Sequence, residues 1–324
     1  MSNQPLIRES RVSRTAVTAL MFLLAIYFLL PIYFLIVAAT KPQGDLASTN
    51  GLAFSHFNLI DNLSTLFSRS DGIFGRWALN SVIYAVLGAA VGTLISALCG
   101  YALAKFTFRG REFLFSVILG GVLVPTTALA LPLFLLFSAT GIVNTYLAVF
   151  LPSIVSPFGV YLARIFASAA VPQELLESAR LDGAGEFRTF FSVAFRLMTP
   201  SLVTIFLFQF VAIWNNFFLP MVMLQKESLF PITLGLYEWN GQTARAPLLQ
   251  ESVITGSLVS IVPVIILFIL LQRFWRTGLA AGSPSDLPPP PFSHARRTTH
   301  TEGPCPHAEI RRLRASFPLG PGMV

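Results

Sequence analysis

The stretch that decides how this chain is read runs Pro172-Gln-Glu-Leu-Leu-Glu-Ser-Ala-Arg-Leu-Asp-Gly-Ala-Gly-Glu-Phe-Arg-Thr-Phe-Phe-Ser-Val-Ala-Phe-Arg-Leu-Met-Thr-Pro200. It gathers Glu174, Glu177, Asp182 and Glu186 with Arg180, Arg188 and Arg196, between long apolar runs that carry almost no charge. Pro172 suits a first helical position, where its missing N–H costs nothing. Glu174 and Glu177 complement the positive end of a helix dipole. Leu175, Leu176 and Ala179 share one face, and Gly183 can take the positive φ that closes a helix. The stretch therefore reads as a short helix, a turn at Gly183-Ala184-Gly185, and a second helix. That second helix carries Phe187, Phe190, Phe191 and Ala194 on one side and Arg188, Ser192 and Arg196 on the other, and Pro200 restarts the chain at the membrane. Two readings stay open on physics alone: an ordinary cytosolic loop with a solvated face, or a handle gripped by a soluble partner.

The flanking sequence settles the class. The 324 residues are 54% hydrophobic and only 11% charged, against about 25% charged residues in soluble domains. Apolar runs of about 20 residues mark membrane spans. Six are expected: residues 15–40, 79–104, 113–137, 143–162, 201–224 and 252–271. Pro125 and Pro132 interrupt the third, and Pro152 and Pro157 the fourth, which points to helices packed against protein rather than plain lipid anchors. Gly88 and Gly92 make a small-residue step that allows close helix packing. The segments 41–77 and 225–251 read as polar loops.

Six spans with both termini on the cytoplasmic side place Arg8, Arg11, Arg14, Lys105, Arg109, Arg111, Arg164, Arg180, Arg188, Arg196, Arg273 and Arg276 inside. They place Lys41, Arg69, Arg76, Lys226 and Arg245 outside. The excess on the inner side follows the positive-inside rule and puts the charged stretch in the cytoplasm. The net charge of +7 thus reflects membrane topology, and no nucleic-acid partner is expected. Residues 1–14 read as a cytoplasmic N-terminus and 76–272 as the core domain, with its loop at 169–199. Residues 283–324, which include Pro288 to Pro291, read as a disordered tail of aberrant coding origin. Cys99 and Cys305 offer neither a disulfide framework nor metal spacing, and no cofactor is expected.

The span interiors hold essentially no ionisable side chain, and all four histidines lie outside them. Ion-coupled transporters ordinarily need such groups within the membrane. No phosphate-binding Gly-Lys-Ser/Thr loop, zinc-protease motif or nucleophile elbow is present either. The chain is therefore expected to be no enzyme, and energy for any active transport must come from another polypeptide. The fifth span does hold neutral polar groups: Gln209, Trp214, Asn215 and Asn216. Amides bond hydroxyls and aromatic faces stack on sugar faces, so these four are candidates for a substrate pathway. Helix–helix hydrogen bonding and an interfacial Trp are the alternative.

The run Glu177-Ser-Ala-Arg-Leu-Asp-Gly-Ala184, followed by Val193, resembles the cytoplasmic loop signature of ATP-binding-cassette importer permeases of the carbohydrate-uptake type. It is similar to the second permease subunit of maltose-type systems. Other stretches agree: Leu79-Asn-Ser-Val82, Tyr101-Ala-Leu-Ala-Lys-Phe106, Phe108-Arg-Gly-Arg111, Val124-Pro125, Asn144-Thr-Tyr146, Ser156-Pro-Phe-Gly159, Trp214-Asn-Asn-Phe217 and Leu271-Gln-Arg-Phe274. The resemblance covers about residues 10–282. It departs at Ser178, where Ala is usual, and at Phe195-Arg196, where Leu-Pro is usual, so the second helix is expected to run on toward Pro200.

The resemblance implies an all-α membrane protein with the type I importer permease bundle of six helices and a cytoplasmic coupling helix. It implies a second permease subunit, two ATP-binding subunits and an extracytoplasmic solute-binding protein as partners, with membrane lipid around the bundle. Glu177, Ala179, Asp182 and Gly183 would form the ATPase-coupling surface, Glu177 and Asp182 as polar contacts and Ala179 and Gly183 as points of close approach. A permease for another polar solute, a stand-alone secondary transporter, and a membrane enzyme or scaffold are the other classes considered.

Overall fold

The computed structural model describes residues 11–280, with side chains for 14–274. The proposed N-terminal segment lies mostly, and the tail at 283–324 wholly, outside the described residues. Every regular element among the described residues is helical. The helices are α1 (Arg11–Ala39), α2 (Gln43–Ser48), α3 (Leu59–Ser68), α4 (Ile73–Lys105), α5 (Arg111–Gly120), α6 (Ala130–Ala139) and α7 (Tyr146–Ser153). They continue with α8 (Pro157–Ala170), α9 (Gln173–Leu181), α10 (Glu186–Thr189), α11 (Phe195–Trp214), α12 (Phe218–Met223), α13 (Ile232–Gln242) and α14 (Leu249–Ala280).

Among the described residues, five stretches are long and apolar enough to cross a membrane: 14–39, 59–105, 146–170, 186–214 and 249–274. The remaining crossing expected at 113–137 is made in two pieces, α5 and α6, separated by a non-helical stretch around Pro125. Its ends fix its path. Glu112 at the start of α5 pairs with Arg164 of α8, whereas Asn144, just after α6, accepts the N–H groups of Gln225 and Lys226 through Oδ1 at 3.0 and 2.9 Å. Those partners lie at opposite ends of the bundle. Asn144 holds φ +62°, a left-handed conformation that Asn tolerates better than most residues.

The bundle packs around α4. Its buried positions include Trp77, Ser81, Tyr84, Gly88, Gly92, Ser96 and Gly100, a three-and-four spacing that lays one stripe of mostly small side chains along the helix. α8 and α11 press on that stripe. Lipid offers no hydrophobic drive between helices, so close backbone approach and dispersion must hold them together. In contrast, the side chains of residues 14–34 in α1 are exposed, as befits a helix facing lipid or another subunit.

Two apolar cores result. The outer one joins Leu66, Phe74, Trp77, Trp214, Met223, Leu234 and Trp239. The inner one joins Tyr101, Ala163, Ala167, Val171, Leu176, Phe190, Ala194 and Met198. The expected loop at 225–251 therefore contains a packed helix, α13, whose Trp239 ring lies 4.6 Å from Trp77 between centroids. Likewise, 41–77 holds α2 and α3 rather than an open loop. Fully buried Lys41 donates to Thr49 Oγ1 and the Asn50 carbonyl at 2.8 and 2.7 Å.

Asn80 stitches the outer end. Its Nδ2 donates to the carbonyls of Ser228 and Phe230, both at 3.0 Å, and its Oδ1 accepts from Tyr146 Oη at 2.9 Å. Removing one partner of a buried hydrogen bond costs on the order of 1–3 kcal/mol. Asn80→Ala and Tyr146→Phe are each expected to lower the thermal midpoint of the purified chain in detergent. Their double-mutant cycle should show less than additive loss, because they share a bond; full additivity would mean that the bond contributes nothing.

Candidate functional site

Two places carry functional geometry, and the inner core joins them. The first is the charged stretch. Pro172 takes the position just before α9, with φ −64° and ψ 142°. Leu176 is fully buried in the inner core, while Leu175 stays exposed on the same helix. At the C-terminus Gly183 adopts φ +78°. Its N–H donates to the Arg180 carbonyl and that of Ala184 to the Ala179 carbonyl, each at 3.0 Å. This paired closure satisfies the last free carbonyls of the helix and requires a left-handed residue at Gly183. The Arg180 guanidinium then grips Glu186 across the turn, Nε to Oε1 at 2.9 Å and Nη2 to Oε2 at 3.2 Å. The Glu186 carboxylate raises the Arg180 pKa further above its ordinary value. The turn is thus fixed from within.

Glu177, Asp182 and Gly183 are exposed and Ala179 is half-buried, all on α9 or its closing turn. Nothing lies within 4 Å of where a Gly183 Cβ would sit, so the turn presents an open surface. Sequence reading missed two neighbours, Leu181 and Phe187, which are 89% and 78% exposed. Phe187 and Phe191 were expected beside Phe190 and Ala194, yet only the last two are buried. The signal was available: Leu181 falls off the stripe of Leu176, and apolar side chains on a polar turn have no internal reason to be there.

The second helix of the stretch does not stop at Pro200. It runs from Glu186 to Trp214 through a wider, π-type turn at Phe190–Ala194. Pro200 sits inside α11 rather than restarting the chain. Its missing N–H frees the Arg196 carbonyl, and Arg196 is exposed. The fourth span similarly outruns its expected end at Leu162, since α8 continues to Ala170. Arg164 therefore lies within a helix. It meets Glu112 at 2.7 and 2.9 Å and sits 3.9 Å over the Phe115 ring. The hydrogen bond from Arg164 is the main reason the Glu112 carboxyl is held below its ordinary pKa. A carboxylate lowered in the folded state keeps its contribution above the ordinary glutamate range and loses it only as pH falls through the lowered value. The link between α5 and α8 is therefore intact at neutral pH. At the end of α4, Lys105 Nζ donates to the Val171 carbonyl at 2.6 Å, tying that helix to the base of α9.

The second place is a cavity of about 670 Å3. It opens where three helix breaks meet: between α5 and α6, between α7 and α8, and between α11 and α12. Thr126, Leu129, Ser153, Ser156, Gln209 and Asn215 are among its walls. Non-helical backbone at membrane depth is tolerated where protein buries it or where it lines a cavity. No Asp, Glu, Lys, Arg or His is among the residues lining it. Gln209 is nine-tenths buried; its Nε2 donates to the Ser153 carbonyl at 3.0 Å, and its Oε1 has no partner. Gly92 makes room for it, since a Cβ there would stand 1.9 Å from Gln209 Nε2. Asn215 and Asn216 line the same space, just past the end of α11. Trp214 does not. It is buried, stacks on Phe210 at 5.6 Å and donates to the Ser260 carbonyl at 3.2 Å, so it is part of the outer core.

The family of binding-protein-dependent transport system inner membrane components matches residues 92–277. The chain is 37% identical to the arabinooligosaccharides transport system permease protein AraQ of Halalkalibacterium halodurans, over 76% of this chain and 88% of that one. It is 34% identical to the lactose transport system permease protein LacG of Rhizobium radiobacter, over 68% and 79%. Among solved structures, a chain of a bacterial ABC transporter involved in import of the acidic polysaccharide alginate superposes with TM-score 0.73 at 22% identity, covering 83% of this chain and 98% of that one. At that identity the likeness establishes the fold, an importer permease bundle. The chain belongs to the binding-protein-dependent transport system inner membrane components, and is a multi-pass membrane permease.

Proposed function

We propose that this chain is one permease subunit of an ATP-driven importer for an uncharged sugar or oligosaccharide delivered by an extracytoplasmic binding protein. The carrying observation is the charge-free cavity at the three helix breaks, joined through one continuous core to an externally exposed helical turn. Relatives named for arabinooligosaccharides and lactose support the solute class. The end bearing Lys105, Arg111, Arg164 and Arg180 faces the cytoplasm, both termini lie there, and 169–199 is the coupling loop. On this reading a partner ATPase subunit hydrolyses ATP and holds α9 through Glu177, Ala179, Asp182 and Gly183, with Leu181 and Phe187 as apolar anchors. Because Leu176, Phe190 and Ala194 share one packed core with α4, α8 and α11, a push on α9 moves those helices rather than bending a loop.

The test is uptake by the whole importer, with both permeases, two ATPase subunits and the binding protein, in proteoliposomes. Radiolabelled arabinotriose, lactose, raffinose and an alginate trisaccharide are offered in turn. ATP-dependent accumulation of at least one neutral sugar, with the uronic-acid trisaccharide excluded, is expected. Accumulation without the ATPase subunits, or of the acidic trisaccharide alone, would overturn the reading.

A further inference from the structure

Two aromatic rings line the cavity. Phe158 and Phe208 are 43% and 53% exposed, yet both are cavity walls. Their ring centroids lie 5.9 Å apart at 83°, so they form a corner. Tyr161 backs Phe158 at 6.4 Å in a near-parallel stack, and Phe115 backs Tyr161 at 6.3 Å, with Arg164 closing the row over Phe115. The Phe158 side of the corner is thereby braced to the Glu112–Arg164 link.

Two side-chain amides, Gln209 and Asn215, line the same cavity. Gln209 uses one of its two amide N–H groups on the Ser153 carbonyl and keeps Oε1 unpartnered while nine-tenths buried. Asn215 uses one of its two Nδ2 hydrogens on the Val211 carbonyl at 2.9 Å, and its Oδ1 can accept. A buried acceptor without a donor is costly, and a hydroxyl donor would relieve it. An aromatic face carries partial negative charge and attracts weakly positive C–H groups. A pyranose or furanose ring presents C–H groups on its faces and hydroxyl donors around its rim. A carboxylated sugar would bring a net charge into a wall with no cation.

We infer that this subunit carries its own solute subsite, in which one uncharged sugar ring lies against the Phe158–Phe208 corner and donates hydroxyls to Gln209 and Asn215. The inference rests on the proposed function and names residues of specificity within it. A ring held there meets α8 and α11 directly, the two helices that continue into the inner core and α9.

The experiment uses the complete importer in proteoliposomes with radiolabelled arabinotriose, lactose and raffinose, and reads sugar moved per ATP hydrolysed. Phe158→Leu and Phe208→Leu should keep ATPase stimulation by the loaded binding protein while sugar per ATP falls about tenfold. Phe158→Tyr and Phe208→Tyr, which keep the ring, should stay within about twofold. A second measurement covers poor assembly of the leucine variants. In Phe208→Trp, the emission difference from wild type should shift when nucleotide traps the complex with sugar-loaded binding protein, and not with empty binding protein. Undiminished leucine variants, tyrosine variants that fall as far as leucine, or an unshifted tryptophan each overturn the subsite alone. Wild-type importer that takes up none of the three sugars overturns the subsite and the proposed function together.

Discussion

Gly183→Asp should abolish sugar uptake while leaving a folded, membrane-inserted chain. The glycine holds φ +78° and closes α9 through the Ala184–Ala179 and Gly183–Arg180 bonds. A left-handed residue other than Gly costs about 1–2 kcal/mol, and Asp is among those that tolerate the region best. No atom lies within 4 Å of the new Cβ, and Leu176 still anchors the helix in the inner core. The chain therefore loses little by itself. What changes is the exposed surface, where a second carboxylate joins Asp182 on the proposed coupling surface. Losing a central contact of an interface costs about 2 kcal/mol or more, so uptake should fall at least about tenfold. Gly183→Asn separates the causes, because it shares the backbone tolerance without the charge. Copurification of the ATPase subunits and ATP-dependent uptake are the measurements. Normal uptake by Gly183→Asp would remove α9 from the coupling surface.

Where sequence reading reached the structure, it did so through local physics. Gly183 closing a helix, the long apolar spans, and Gly88 and Gly92 as close-packing positions all follow from φ preference, hydropathy and side-chain size. It failed where neighbours in sequence part in space. Trp214 and Asn215 are adjacent, yet successive helical residues point about 100° apart, and α11 ends between them. One enters the outer core and the other lines the cavity. Pro200 looked like a boundary because proline removes a helical hydrogen bond. Only the fold reveals that the carbonyl it frees belongs to exposed Arg196. The break between α5 and α6 was legible as Pro125, but not the fact that two other breaks meet it. That convergence makes the cavity, and it is a property of long-range packing alone.

Gly100→Leu is expected to prevent assembly altogether. A Cβ at Gly100 would stand 2.5 Å from Ala163 Cβ, 2.6 Å from Arg164 N and 2.7 Å from the Ala163 carbonyl carbon. Two of the three are backbone atoms and cannot rotate aside, so α4 and α8 must separate. Overpacking of a well-packed interior costs about 1–3 kcal/mol for added methylenes, and here the first added carbon already collides. Separation would also strip Tyr101 from Ala163 and Ala167 and pull Lys105 from the Val171 carbonyl, unseating α9. Gly100→Ala should give a lowered thermal midpoint and a reduced monodisperse fraction on size exclusion, and Gly100→Leu no recoverable complex. Gly120→Ala is the control: its Cβ meets nothing within 4 Å and its φ of −56° is helical, so Ala should be neutral or stabilise by up to about 1 kcal/mol. A Gly100→Leu chain that assembles and transports normally would mean that α4 and α8 do not cross at this position. The shared core proposed to carry motion from α9 to the cavity would then have to be built differently.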